Sequence, residues 1–235
     1  MSRHKFIPQF EPLIKRKYAK AVEKQILSGW VGSSKTTTKF EHAIKKVMNV
    51  DYCISTTSGT ASLMLAIESL HLPKGSTILF PNYTFLAGAN AAQVLGYKIR
   101  LVDVNTATMG MDVDLIESHI DDSVSCIMYV NHNGYCGYEH FALHRLCEKY
   151  NLKLIQDSSQ CFAMENFCLY GDVGVVSFSV PKIITTGPGG ALITNNESYY
   201  VEASALHDHG ANGWRKNKTH IRLGVNFKFD DIHAS

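Results

Sequence analysis

Short apolar runs alternate with helix-like segments about seven times along this chain, and no other feature restricts the fold as strongly. The runs are Tyr52–Thr56, Thr77–Phe80, Lys98–Val102, Val124–Val130, Leu152–Gln156, residues 173–178 and residues 190–194. Several are continuously apolar instead of alternating with polar residues, as strands are when both of their faces are covered. Between them, helical spacing or composition marks residues 10–29, 38–48, Ala61–Leu70, Ala87–Leu95, Asp112–Ile120, 139–150 and 197–206. Thr38 and Glu41 have the spacing of a capping box. The pattern predicts an α/β three-layer sandwich with a mostly parallel, seven-stranded sheet. There is no repeat, low-complexity segment or Gly/Ser linker, so residues 1–235 are expected to form one domain, with a helical segment over about 1–50.

In open sheets of this kind, ligands bind beyond the carboxyl ends of the strands. Ser58, Tyr83, Phe85, Asp157, Gln160 and Lys182 all fall at or just past such ends. The order strand, Thr57-Ser58-Gly59-Thr60, apolar helix suits an anion: glycine permits close approach, and the helix start offers free N–H groups at the positive end of its dipole. A plain Ser/Thr helix cap would read the same way. The run Ser177-Phe178-Ser179-Val180-Pro181-Lys182 sets a lysine among apolar neighbours, where partial desolvation makes an amine a usable nucleophile for a carbonyl. A pyridoxal phosphate site needs a lysine, an acid beside the ring nitrogen, a ring face and a dianion cradle. Lys182, Asp157, Phe85 and Ser58-Gly59-Thr60 can supply those four parts.

With those residues in this order, the sequence resembles the DegT-type nucleotide-sugar aminotransferases, pyridoxal-phosphate enzymes of fold type I. The resemblance runs nearly end to end, through Leu27-Ser28-Gly29-Trp30-Val31-Gly32, Thr57 to Leu63, Pro81 to Ala87, Asp157-Ser158-Ser159-Gln160, Ser177 to Lys182, Thr185-Thr186-Gly187, His209-Gly210 and Leu223 to Lys228. It implies that Lys182 forms the Schiff base and carries a proton, and that Asp157 pairs with the pyridinium nitrogen. It further implies that Gln160 meets the phenolic oxygen, that Phe85 stacks on the ring, and that Gly59, Thr60, Ala61 and Ser177 hold the phosphate. Asn226 is implied to reach the phosphate of a neighbouring subunit, making a homodimer with shared sites. The implied reaction passes an amino group from L-glutamate to a keto-sugar on a nucleotide diphosphate, with perosamine-type 4-amino sugars as a product class.

Several positions depart from the family pattern. Pro188 stands where an acid is usual, Lys228 where arginine is usual, and Ser158-Ser159 where alanines are usual. Lysine is a point charge and gives up the bidentate grip of arginine. The segment from Gln160 to Ser177 is short. Family members continue beyond Ile232-His233-Ala234-Ser235 into a smaller C-terminal domain, so the resemblance covers the large, cofactor-binding domain alone. The alternatives are a fragment, a second chain supplying that domain, or a cofactor-binding remnant without catalysis. A related sugar dehydratase would carry histidine in place of Lys182.

Other function classes find less support. A net charge of +2 suggests neither nucleic acid nor an acidic membrane surface, and the short basic clusters Lys15-Arg16-Lys17 and Arg215-Lys216-Asn217-Lys218 suit a solvated face. No apolar run approaches a membrane span, and no apolar leader follows Met1, so a cytoplasmic protein is expected. The sequons at Asn82, Asn196 and Asn217 then have no consequence. Six cysteines without a C-x-x-C pair suit reduced, buried thiols. His140 and His144 are spaced like metal ligands and His207-Asp208-His209 could also ligate, yet no third partner is evident for the first pair, and no metal is expected.

Overall fold

The computed structural model describes residues 7–8, 10–135, 137, 139–164, 167–211, 219–220 and 222–235. Cys136, the basic cluster Arg215–Lys218 and the Asn217 sequon lie outside the described residues. Seven strands form one sheet: β1 (Tyr52–Thr56), β2 (Thr77–Pro81), β3 (Lys98–Val102), β4 (Val124–Val130), β5 (Lys153–Asp157), β6 (Val173–Ser177) and β7 (Gly190–Thr194). Their spatial order is β1-β7-β6-β5-β4-β2-β3. The pairs β2–β3, β2–β4, β4–β5 and β5–β6 are parallel, and β7 runs antiparallel to both β6 and β1. The sheet is therefore mostly parallel, with one reversed strand.

The continuous apolar runs have a direct physical cause. Within β2, Ile78 and Phe80 pack into one core and Leu79 into another; within β7, Leu192 faces one way and Ala191 and Ile193 the other. Period-two alternation persists, but both faces are dry. On one face lie α3 (Gly59–Ser69), α4 (Ala87–Val94) and α7 (Glu197–His207), through Leu63, Ala91 and Ala203 among others. The opposite face is covered by α2 (Lys35–Met48) through Ile44 and Met48, by α5 (Val113–Ile116) through Ile116, and by α6 (Glu139–Tyr150) through Leu143 and Cys147.

Three local expectations change. Residues 10–15 are not helical, and α1 spans Arg16–Leu27. Pro8 and Pro12 disfavour helical backbone at the residues before them, which delays the start. No residue of α1 is fully buried; Ala21, Val22 and Gln25 are half-buried, and Gln25 Oε1 accepts from Thr36 Oγ1 at 2.8 Å. The Thr38–Glu41 capping box does not form, because α2 begins earlier, at Lys35. Thr38 Oγ1 donates to the Ser34 carbonyl, while Glu41 accepts from the Ser55 N–H and hydroxyl, both at 2.8 Å. The segment 112–120 divides into a single α turn and a 3-10 turn at Glu117–His119.

The cap of α2 comes instead from the far end of the chain. Asp231, 1% exposed, accepts from Ser34 N–H (2.8 Å), Thr37 N–H (2.8 Å), Thr37 Oγ1 (2.7 Å) and Thr36 N–H (3.4 Å). Strand β1 lies at the sheet edge, and its outer side is covered rather than open. Glu41 takes the Ser55 N–H, His207 Nε2 donates to the Ser55 carbonyl at 3.1 Å, and Thr57 N–H donates to the Phe227 carbonyl.

Candidate active site

Every parallel strand from β2 and β4 to β6 releases its chain toward one end of the sheet, and a cleft of about 860 Å³ opens there. Segments far apart in sequence meet in it: Ser58–Thr60 after β1, Thr84 and Phe85 after β2, Asn133 after β4, Asp157 and Gln160 at the end of β5, and Ser177 to Lys182 after β6. Pro188 and Gly189, leading into the reversed β7, close the remaining side.

At the β1 end, Ser58 caps α3, its hydroxyl accepting from the Ala61 N–H at 3.1 Å. The first N–H groups of the helix, at Gly59 and Thr60, have no intrahelical acceptor and stand at the positive end of its dipole. A Cβ placed on Gly59 would sit 3.0 Å from Ser177 Cβ and 3.2 Å from Ser177 Oγ. The space between the α3 start and Ser177 is thus kept open by glycine, and it is bordered by N–H and hydroxyl donors. That arrangement suits an anion. Ala61 is buried with its N–H already engaged by Ser58, and it does not line the cleft.

Across the cleft, Asp157 ends β5 with its carboxylate accepting from the Ser159 N–H at 3.0 Å. Burial pushes its pKa up, opposed by the Ser159 hydrogen bonds and, more weakly, by the Lys182 charge. Lys182 is half-buried in a turn fixed by its own N–H to the Ser179 carbonyl at 3.0 Å. Gln160 Oε1 accepts from the Asn133 N–H at 2.7 Å, which orients the amide. The Phe85 ring is 79% exposed at the mouth and free to offer a face to a planar ligand. Tyr83 instead packs its ring against His132, centroids 4.9 Å apart, and does not line the cleft. Asn226 is exposed and lies outside the lining of this cleft, its backbone bridged to Asp208. Lysine, acid, exposed aromatic face and anion cradle therefore share one cavity, and their chemistry fits a phosphorylated pyridine aldehyde.

Asn133 and Ser179 also line the cleft, and residue-by-residue reading assigned them no role. The Asn133-Gly134 turn after a strand was the available signal, but a backbone N–H leaves no trace in residue type. Among the described residues no group of three or more His, Cys, Asp and Glu side chains could hold a metal, and no helix is long and apolar enough to cross a membrane. Among the described residues, Cys53, Cys126, Cys147 and Cys161 are buried thiols outside any disulfide, and Cys168 is an exposed one.

Residues 12–235 match the DegT/DnrJ/EryC1/StrS aminotransferase family. The chain belongs to that family. GDP-perosamine synthase of Escherichia coli O157:H7 is a family relative, 29% identical over 237 residues that cover 98% of this chain and 64% of that protein. UDP-2-acetamido-2-deoxy-3-oxo-D-glucuronate aminotransferase of Pseudomonas aeruginosa is 27% identical, over 94% of this chain and 62% of that one. The chain thus spans less than two thirds of these relatives' length. Among solved structures, NtdA of Bacillus subtilis with bound cofactor PMP superposes with a TM-score of 0.88 at 27% identity, covering 94% of this chain and 52% of that one. An aminotransferase from Psychrobacter cryohalolentis gives the same TM-score at 25% identity, with 95% and 60% covered. These two solved structures thus share the fold of nearly the whole chain.

Proposed function

We propose that this chain is the cofactor-binding part of a pyridoxal 5'-phosphate enzyme that moves an amino group from L-glutamate to a keto-sugar carried on a nucleotide diphosphate. One observation carries the reading: Asp157 at the end of β5 and Lys182 in the turn after β6 line the same cleft as Gly59 and Ser177. When bound, pyridoxal phosphate supplies a ring that accepts the electrons left when a Cα–H bond breaks.

The chain's own residues divide the remaining work. Gly59 and Thr60 N–H groups and the Ser177 hydroxyl bind the phosphate dianion at the positive end of α3. Asp157 holds a proton on the ring nitrogen; its raised pKa marks a carboxylate that lacks a full counter-charge, which a cationic ring would provide. Gln160, oriented by the Asn133 N–H, keeps its amide toward the cleft. Phe85 covers one face of the ring and sheds water from it. Lys182 Nζ accepts and returns the proton at the substrate carbon, a task suited to a half-buried amine. A homodimer is part of this reading, since Asn226 stands exposed outside its own cleft and is available to a second subunit. Perosamine-type 4-amino sugars are the proposed product class, on the likeness to GDP-perosamine synthase.

The test is spectroscopic. Added pyridoxal phosphate is expected to give a visible absorbance band that disappears in Lys182→Ala and that bleaches on addition of L-glutamate. A band indifferent to Lys182→Ala overturns the assignment. A panel of nucleotide keto-sugars that restore the band after bleaching then identifies the acceptor.

A further inference from the structure

Behind the cleft, on the face of β5 turned away from Asp157, lies a polar cluster that the chemistry above does not use. Its centre is Asn131, just past β4 and 1% exposed. Asn131 Oδ1 accepts from Gln156 Nε2 at 3.1 Å and from Ser158 Oγ at 3.0 Å. Its Nδ2 donates to the Tyr135 carbonyl and to His140 Nε2, both at 3.0 Å. All four hydrogen-bonding positions of the amide are filled.

The partners are saturated in turn. Gln156 Nε2 also donates to the Cys168 carbonyl at 3.1 Å, and its Oε1 accepts from the Tyr170 N–H at 3.0 Å. Because His140 Nε2 accepts, Nδ1 carries the hydrogen and donates to the Gly137 carbonyl at 2.6 Å. Burial lowers the His140 pKa, in keeping with a neutral ring that can accept. A closed network of this kind has one orientation, since turning any amide leaves buried donors facing donors.

What this network encloses is the cleft's acid. Gln156 and Ser158 flank Asp157 in sequence, and strand alternation sends them to the opposite face. Gripping both from behind fixes the backbone between them, and the Asn131 N–H adds a third tie to the Asp157 carbonyl at 3.0 Å. Asn131 also opens the turn at His132–Gly134, whose Asn133 N–H holds Gln160. That turn is pressed against its neighbour, since a Cβ on Gly134 would stand 3.1 Å from the Gln160 carbonyl oxygen. One buried side chain therefore anchors both the acid and the amide of the cleft, although it does not line the cleft itself.

We propose that Asn131 is a positioning residue, whose saturated amide sets Asp157 and Gln160 in register for the bound cofactor. This rests on the reading of the cleft as a pyridoxal phosphate site. The decisive variant is Asn131→Asp, which keeps the shape and the acceptor but loses both donated bonds. Ile44→Val, in the core beneath α2, is the comparison for a purely structural loss. Pyridoxal phosphate affinity and the pH titration of the bound cofactor's absorbance are measured on folded protein. Asn131→Asp is expected to weaken affinity by about tenfold, the equivalent of one charge-assisted hydrogen bond, and to displace the titration. Ile44→Val is expected to change neither. If Asn131→Asp does not fold, Ser158→Ala removes a single bond to the same oxygen and should displace the titration in the same direction. Unchanged affinity and titration in the folded variant overturn the inference while leaving the cofactor reading intact. Failure of the unsubstituted protein to bind pyridoxal phosphate refutes both.

Discussion

Replacing Asp231 by alanine should loosen the N-terminal part of this fold, because α2 has no cap of its own. Ser34 occupies the cap position without a side-chain bond, and the free N–H groups of the first turn are met by the Asp231 carboxylate. Alanine removes four acceptor contacts at once. The Ser34 and Thr36 N–H groups are partly accessible to water, which can replace the lost partner there. Thr37 is 4% exposed, so its N–H and hydroxyl are left unpaired in the interior. Losing a helix cap costs about 1 kcal/mol, and stranding a buried donor adds about 1–3 kcal/mol. A total of about 3 kcal/mol corresponds to a fall in Tm of roughly 6–12 °C for a chain of this size.

Asp231→Asn is the informative companion, since it retains one acceptor and loses the charge. Burial raises the Asp231 pKa, but the hydrogen bonds from Thr37, Ser34 and Thr36 outweigh it and hold the carboxyl below its ordinary 3.8. A depressed carboxyl pKa stabilises the fold above the unfolded value and ceases to do so as pH falls through the folded value. The stability gap between the unsubstituted protein and Asp231→Asn should therefore be full at pH 6–7 and shrink below about pH 4. Urea midpoints across that range measure it. Equal midpoints for Asp231→Ala and the unsubstituted protein at pH 7 would refute the tertiary cap.

His207 predicts a pH signature of the same sign, in a window nearer neutrality. Burial brings its pKa down from 6.5 to about 4, so between those values the unfolded chain binds more protons and stability falls as pH falls, by at most about 3 kcal/mol; His207→Gln should flatten urea midpoints between pH 6.5 and 4. A Cβ on Gly190 would meet Gly59 N at 2.5 Å and Ser58 C at 2.6 Å, both backbone atoms with no room to yield. Gly190→Ala should therefore push β7 off the α3 start and cost about 1–3 kcal/mol in stability together with phosphate or pyridoxal phosphate affinity, read by thermal unfolding and equilibrium binding. An unchanged affinity there would mean that the cradle tolerates displacement.

Most strands were legible because they are apolar on both faces, and β1 to β7, including the more exposed edge strand β3, fall within a residue or so of their predicted limits. Helix ends were legible where the chain itself signals them, as at Ser58 before α3 and Asn196 before α7, both of which cap through their own side chains. Where the cap is remote, pattern misleads. Thr38 and Glu41 have capping-box spacing, yet Asp231 caps α2 and Glu41 is drawn to Ser55 on β1. The start of α1 was misplaced because apolar spacing does not register the restriction that Pro8 and Pro12 put on the backbone before them.

The site divides along the same line. Residue types and order named Ser58, Gly59, Thr60, Phe85, Asp157, Gln160 and Lys182, and the family resemblance added Ser177; all of these line one cleft, whereas Tyr83, placed at a strand end on the same grounds, does not. That was possible because strand ends in a parallel sheet converge on one edge, and sequence fixes which residue follows each strand. Tertiary structure decided what no spacing contains: that Asn133 offers a backbone donor to Gln160, and that Asn131 braces Asp157 from behind. Those are contacts between separate segments, and their existence depends on the sheet order and on which face each side chain occupies. Local chemistry chose the groups, and long-range packing set their aim.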